Sequence, residues 1–554
     1  MLTVLFSWLI MGGASLLFGK AVTDGLYGKH QAMMGKPDVY IVTGLIILNV
    51  YAQLFSIFYK IGGIACTILG AAGILIFAVW MYRHFRCGKR FVLFPGCNWK
   101  KPEVWRTTAL LFCFILTLIW TNQDPGQYDT GLYHAQAIRW IEEYGVVPGL
   151  GNLHMRLAYN SAFMSLQALF SLVWLVGRSL HSLNGFFCLA ALFYAVSTVR
   201  LWGEDSLRVS DLLKCVMVIF VVQKRYDISS SGTDIWAMLL IIYIFTKWNE
   251  YRESGCGDSA PYGWLCLVSV YAATVKLSAA AMVILALYPL YLFLKEKNGK
   301  AILLHVAAGV GILLPFLIRN VIISGYLVYP YGSLDLFHPD WKMDKEVLLS
   351  DSLDIKMFAR GLRSAAEYDT SLFGWIPGWF LRQGMGSRVL IVLGAACIPA
   401  ALWLLVRCFR KKEYAGVAVL GAGVVNLLFW FFSAPHMRYG EPYIYALVAM
   451  VLGMAGLWMK KPLSLAMAVI LLPLLVQYGM GCTALADMES KHWIFQPYYN
   501  SWQSTQYPVD NVLIWKPDEG DLSGYFAFPA TPQGGQLKVL RMRGESFREG
   551  FRHE

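Results

Sequence analysis

Charged residues are scarce in this sequence, and acids are scarcer than bases. Of 554 residues only 15% are Asp, Glu, Lys or Arg, with 35 acids against 47 bases, whereas 57% are hydrophobic and the mean hydropathy is +0.50. A soluble core of this size cannot hide so much apolar surface, which excludes a water-soluble globular protein. The eleven cysteines form no CxxC pair. They fall mostly in apolar runs or in basic gaps (Cys87, Cys97, Cys256, Cys408), with Cys482 set apart on the opposite side, so neither a disulfide framework nor a cysteine metal site is indicated. A Gly-rich nucleotide loop, an internal repeat and a low-complexity tract are all missing. The first apolar run, residues 1–19, has no preceding base and no small-residue cleavage site, and is expected to be a retained span. The net charge of +12 does not require nucleic acid, because the bases concentrate in short hydrophilic gaps, as the positive-inside bias produces.

What is present is a series of long apolar runs. Residues 62–81, 105–121, 389–406 and 462–480 approach the ~20 residues that a helix needs to cross ~30 Å of hydrocarbon. The richest basic gap, 83–106, holds Arg83, Arg86, Lys89, Arg90, Lys100, Lys101 and Arg106 against one acid, Glu103, and is read as cytoplasmic. The gaps at 200–208, 247–252, 295–300, 407–412 and Lys460-Lys461 belong on the same side. The 105–121 span then delivers the polar segment 122–161 to the outer face. An odd number of crossings must separate that segment from the gap at 200–208, yet two apolar stretches intervene. The stretch 161–177, interrupted by Ser165, Gln167 and Ser171, is expected to lie in the interface, and 183–199 to cross. Residues 212–222 and 235–246 cross next. The stretch 264–294, with Lys276 near its middle, is expected to be two short helices turning on the outside. The 301–318 span brings Arg319 and Asn320 out, followed by an aromatic-rich outer segment, 321–388.

The count is about 14 transmembrane helices with the amino terminus outside. The fold class is an all-α polytopic membrane protein with interfacial helices in its first large outer loop. Residues 481–554 are expected to form a small extracytoplasmic appendage with strands at Val512-Leu-Ile-Trp and Gln536-Leu-Lys-Val-Leu.

Parity gathers Asp129, Arg156, Lys224, Arg225, Asp234, Lys276, Arg319, His436 and Arg438 on one face, joined by His134 and Asn160 of the first outer segment. Bases at the outer ends of spans oppose the topological bias, and a phosphate at headgroup level is their natural partner. Acids among them indicate proton transfer or orientation of a hydroxyl. Blander readings stand beside these. Asp129 sits where a helix running to Tyr144 would begin, with Gly145 as its stop, so it also suits an N-cap. Asp124 precedes Pro125-Gly126 and reads as a turn residue. His134 could meet Asp129 or His154 around a metal, but the spacing is no metal motif. Lys224 and Arg319 could simply anchor span ends at lipid phosphates. Glu142 and Glu143 are expected to face water.

In order and spacing these residues resemble the class C (GT-C) integral-membrane glycosyltransferases, in particular the aminoarabinose-transferase and protein-mannosyltransferase type. The likeness runs over residues 105–440. It comprises Asp129 in the first outer loop, an interfacial helix carrying Tyr133 and Arg139 and ending at Gly145 and Pro148, then Arg156 and a second non-spanning helix from Asn160 to Val173. It continues with Asp234 after Ser-Gly-Thr, Lys276 between two short helices, and the series Pro315, Arg319, Asn320, Gly325, Tyr326, Tyr329, Pro330. The resemblance implies a catalytic core at 105–440, preceded by additional spans and a basic cytoplasmic loop at 1–104 and followed by spans at 441–480 and the tail at 481–554. It implies transfer of a sugar, with inversion, from a polyprenyl-phosphate donor to an extracytoplasmic cell-envelope acceptor (glycan, lipid or protein) at the outer face of a bacterial plasma membrane. Asp129 is then the base and Asp234 its assistant. Lys276, Arg156 and Arg319 neutralise the departing lipid phosphate, with His436 and Arg438 as weaker candidates. No cofactor is implied beyond the lipid-linked sugar, and a divalent metal is left open. The first loop departs from many relatives, which carry two adjacent acids where this chain has Asp129-Thr130. A transporter or flippase of a lipid-linked glycan, or an inactive relative that only binds polyprenyl phosphate, is the alternative.

Overall fold

Inside hydrocarbon a backbone amide has no water to bond, so an apolar run must pair its own amides and becomes a helix. The computed structural model describes residues 1–87, 93–94, 103–200, 208–455, 475–481, 489–532 and 534–554. Eight helices among them are long and apolar enough to cross a bilayer: Leu2–Met34, Pro37–Phe58, Gly63–Arg83, Val104–Thr121, Leu277–Lys295, Gly299–Ser324, Met385–Arg410 and Tyr414–Ser433. The chain is a multi-pass, all-α membrane protein with a small β-containing tail. Most of the 462–480 run, Lys460-Lys461, and much of the basic gaps at 83–106 and 200–208 lie outside the described residues.

Close approach of the first two long helices depends on glycine. A Cβ on Gly19 would stand 1.8 Å from the Tyr40 carbonyl oxygen, and one on Gly44 would stand 1.9 Å from that of Ser15. With only hydrogen at these two positions the Leu2–Tyr27 and Pro37–Phe58 backbones touch, replacing the hydrophobic drive that lipid cannot supply with van der Waals contact.

The centre of the bundle is the helix Asp234–Glu253, buried at every position from Asp234 to Asn249. Apolar residues surround it on all sides, the pattern of a core helix rather than a surface one. Its two ends carry the charge. At the carboxyl end Lys247 pairs with Asp38 at 2.6 Å and Glu250 at 3.1 Å, Glu250 pairs with Lys214 at 2.8 Å, and Tyr243 donates to Asp38 at 2.8 Å. Lys214 and Lys247 are buried, and ions so placed are tolerated only when compensated. The amino end, Asp234, enters the site described below.

Three local irregularities shape the opposite face. The helix Ala162–Phe170 has nine residues, about 14 Å, and breaks at Leu172 (φ +51°) before the short turn Val173–Val176, so it is too short to cross. The stretch 264–294 does divide at Lys276, whose backbone is extended (φ −152°, ψ 126°), between the helix Ser259–Val275 and the segment that follows. That segment opens as a 3-10 run, Leu277–Ala286, before the helix Leu287–Lys295. Ten residues of 3-10 helix is unusually long, and such stretches often mark functional or strained positions. The third irregularity is a π turn, Thr130–His134, leading into the helix Ala135–Glu143. Gly145, at φ +84°, ends it as the sequence indicates, with its backbone against the Ser56 and Tyr59 carbonyls.

The tail pairs Ser504–Val509 with Val512–Pro517 and Leu540–Met542 with Phe551–His553, both antiparallel. The strand expected at 536–540 begins only at Leu540, because Gln536–Lys538 closes a 3-10 turn through Lys538 N to Gly535 O at 3.4 Å. A second apolar core forms where the tail meets the first outer segment. Ile514, Met542 and Phe551 join Trp140, Val147 and Leu150, together with Tyr326 and Met343 of the segment after the Gly299–Ser324 helix.

Candidate functional site

Asp129 immediately precedes the π turn, Asp234 opens the central helix, Lys276 stands at the extended break, and Arg438 lies in the first turn of the helix Met437–Ala455. Each of these is a helix end or a helix break. Backbone groups are exposed there, and a side chain can turn into the space between helices instead of packing along them. The four residues meet. Arg438 is ion-paired to both Asp129 and Asp234, and Asp234 is ion-paired to Lys276. Two acids and two bases thus form a balanced quartet, with the Lys276 ammonium 4.3 Å above the Tyr439 ring. Burial on its own would raise the Asp129 carboxyl, but the groups around it, Arg438 foremost and Lys276 with it, together hold it below the ordinary carboxylate value.

Around the quartet stand two histidines. His134 is 1% exposed, its ring 4.3 Å from that of Tyr133, and burial drives its pKa down to about 3, helped by the nearby Arg438 and Lys276. His436 stacks on Phe358 at 4.7 Å, accepts the Arg438 backbone N–H at 3.2 Å, and is lowered to about 4 by burial and then by Arg438. Both rings are neutral at physiological pH. Arg156 is half-buried and makes no ion pair or hydrogen bond among the described residues; it lies within electrostatic reach of Asp129, Asp351, Tyr133 and Tyr159. Among the described residues no acid neutralises it by direct contact.

The other residues expected at the site make no ion pair with the quartet among the described residues. Lys224 pairs with Glu441 at 2.8 Å, one turn along from Arg438. Arg225 turns to the Tyr226 hydroxyl at 3.0 Å and the Val222 carbonyl at 3.2 Å. Arg319 is 2% exposed and donates to Asn160 Oδ1 at 3.0 Å and to the Ser56 hydroxyl. Asn160, in the left-handed region at φ +35°, donates in turn to the Phe316 carbonyl at 3.1 Å and to Asn320 Oδ1 at 2.8 Å. These bonds tie the 155–160 turn to two long helices and leave Asn160 and Arg319 engaged with protein. Glu142, expected to face water, is instead buried and accepts from Ser179 at 2.7 Å and Tyr525 at 2.6 Å; burial raises its pKa. Tyr525 belongs to the tail, which covers that side of the helix, whereas Glu143 is exposed.

Two features escape a sequence reading. One is Asp351, fully buried on the helix Lys345–Arg360, accepting from Tyr159 at 2.8 Å and Tyr329 at 2.9 Å, with its pKa raised by burial. A signal exists: Asp351 sits on the stripe Leu348, Asp351, Ile355, Phe358, an acid where apolar periodicity asks for a hydrophobe. Tyr329, Tyr159 and Tyr133 form successive ring contacts at 6.0 and 5.7 Å, an aromatic wall between Asp351 and His134. The other is the tail. Gln136 donates to the Gly524 and Ala527 carbonyls at 2.8 and 2.6 Å, Arg139 to those of Tyr525 and Phe526 at 2.8 and 3.0 Å, and Tyr128 to Asp521. Ser523 and Gly524 N–H groups donate to the Gly131 carbonyl at 3.0 and 2.8 Å. The helix behind Asp129 is therefore clamped from outside. No three His, Cys, Asp or Glu side chains among the described residues are grouped to hold a metal ion.

Chemically, the arrangement offers ionised carboxylates held by cations, an uncompensated guanidinium, neutral imidazoles and an aromatic wall. Residues 1–445, which include every member of the quartet and exclude the tail, match the family described as a domain of unknown function, DUF8201. No curated protein and no solved structure matches the chain. With the match extending over most of its length, the chain belongs to the DUF8201 family.

Proposed function

We propose that the protein is a membrane glycosyltransferase that moves a sugar from a polyprenyl-phosphate donor to an extracytoplasmic cell-envelope acceptor, with inversion. The observation that carries this reading is the quartet of Asp129, Asp234, Lys276 and Arg438, drawn from four distant segments, with unpaired Arg156 beside it. The bundle is read as about 14 crossings in a bacterial plasma membrane, with the quartet on the extracytoplasmic side, the class C glycosyltransferase arrangement. In this mechanism the donor phosphate competes with the carboxylates for Lys276 and Arg438 while Arg156 supplies an additional positive charge. Negative charge grows on the phosphate as the glycosidic bond breaks, so cations there favour the transition state over the ground state. Loss of Arg438 from Asp129 raises the basicity of that carboxylate, which orients the acceptor hydroxyl and takes its proton. Asp234 keeps Lys276 in place. Arg319 and Asn160 hold the turn that presents Arg156. An apolar cavity of about 580 Å³ between the first helix, the Gly63–Cys87 helix and residues 169–175 offers room for a hydrocarbon chain.

Transport of a lipid-linked glycan is the competing reading. About three turns of uninterrupted, buried and largely apolar helix, residues 235–246, separate the quartet from the Asp38, Lys247, Glu250 cluster, which is unlike the polar, midplane route of carriers. The deciding experiment follows release of polyprenyl phosphate from labelled lipid-linked sugars by purified protein. The parent is expected to turn over and Asp129→Asn to lose about 10²–10⁴-fold in rate. Equal turnover by the variant removes Asp129 as the base, and no turnover by the parent on any lipid-linked sugar favours transport or simple binding.

A further inference from the structure

The charged groups of the quartet are ion-paired with one another, but polar atoms of three neutral side chains beside Asp129 and Asp234 are buried without a hydrogen bond. Thr130 Oγ1, Gln127 Oε1 and both ring nitrogens of His134 are buried without a hydrogen bond. Thr130 and His134 are 2% and 1% exposed, and groups so buried are bonded in the great majority of cases. Their placement is not scattered. Thr130 and His134 bound the same π turn, and Asp129 immediately precedes it. The Gln127 carboxamide crosses over Gly232, where a Cβ would stand 2.0 Å from its oxygen, two residues before Asp234. The missing Cβ at 232 leaves room for this oxygen. His134 is held neutral by its surroundings, so the trio offers donors and acceptors without charge.

We propose that Gln127, Thr130 and His134 form a hydroxyl-reading subsite that binds the neutral sugar ring of the lipid-linked donor, while unpaired Arg156 serves its phosphate. The proposal rests on the donor reading above and deepens it. A neutral ring presents several hydroxyls that donate and accept, the complement of an imidazole, a hydroxyl and an amide oxygen. A bare phosphate dianion brings no hydroxyl donor to the Gln127 oxygen or to the acceptor nitrogen of His134. Divided in this way, the site discriminates loaded from spent carrier, because leaving buried polar groups unpaired penalises the ligand that lacks the hydroxyls.

Binding of two probes to the full-length protein in lipid nanodiscs separates the possibilities: polyprenyl phosphate, and the same lipid carrying a neutral hexose. The parent is expected to bind the hexose-bearing lipid about tenfold more tightly, the scale of one or two added hydrogen bonds. Thr130→Val and His134→Phe should each remove most of that preference and leave affinity for the bare phosphate lipid unchanged. Their melting temperatures should equal or exceed that of the parent, since each deletes an unpaired buried polar group. Variants that weaken both probes equally, or that melt earlier with the preference intact, overturn the subsite and make the trio structural. A parent that binds both probes alike overturns the subsite alone. A parent that binds neither overturns the donor reading with it.

Discussion

The Arg438 guanidinium is hydrogen-bonded to the Asp129 carboxylate, and the same side chain reaches Asp234. Arg438→Gln leaves two acids facing a single Lys276. Breaking a fully buried pair costs about 3–5 kcal/mol; Arg438 retains 28% side-chain exposure, so about 2 kcal/mol is expected. A double-mutant cycle with Asp129→Asn, read by denaturant unfolding, should show the two losses to be less than additive. Additive losses mean that the contact does not couple them.

The buried histidines set an acid limit on stability. Burial lowers His134 and His154 from about 6.5 to about 3, so the unfolded chain takes up protons that the folded one refuses as pH falls through that window. Stability is complete above about pH 6.5 and declines toward pH 3. Melting curves between these limits should show the decline, and His154→Gln should flatten it. A melting temperature independent of pH from 7 to 4 is inconsistent with buried neutral imidazoles.

Gly131 is where the tail meets the π turn. A Cβ there would lie 2.7 Å from the Trp502 ring, too close to be accommodated without displacing the indole. Gly131→Ala is expected to loosen residues 499–530, costing about 1–3 kcal/mol and accelerating proteolysis within the tail. Trp502→Ala combined with Gly131→Ala should restore protection relative to Gly131→Ala alone. Unchanged cleavage in Gly131→Ala shows that the clamp tolerates the methyl.

The second ionic cluster should matter for folding and not for turnover. Lys247→Met leaves Asp38 and Glu250 without their shared cation, a loss of about 3–5 kcal/mol for a side chain that is 1% exposed. The yield of folded protein is expected to drop sharply, with the rate per folded molecule unchanged. A proton-coupled carrier predicts the reverse, normal yield and lost transport.

Much of the framework is legible from composition and run length. Hydrocarbon imposes one solution on a long apolar stretch, so the helices, the break at Lys276 and the stop at Gly145 appear near where the sequence places them. Glu142 went astray for a different reason. The polarity of a side chain predicts exposure only if nothing else covers it, and the covering Tyr525 lies almost 400 residues downstream. The strand expected at 536–540 gave way to a local turn set by Gly535.

The sequence by itself determined that this chain is a polytopic helical protein and that Asp129, Asp234, Lys276 and Arg438 are ionisable groups at places where ionisable groups are costly. The burial cost of each charge is written into its own neighbours along the chain. Which charges compensate one another was decided only by the tertiary structure. Arg438 was the lesser candidate and became the bridge, Arg319 was a phosphate ligand and became the anchor of a turn, and Asp351 and the tail entered unannounced. An ion pair depends on the separation of two atoms to within an ångström or so. That distance is set by how distant helices pack together, and local sequence carries almost no information about it.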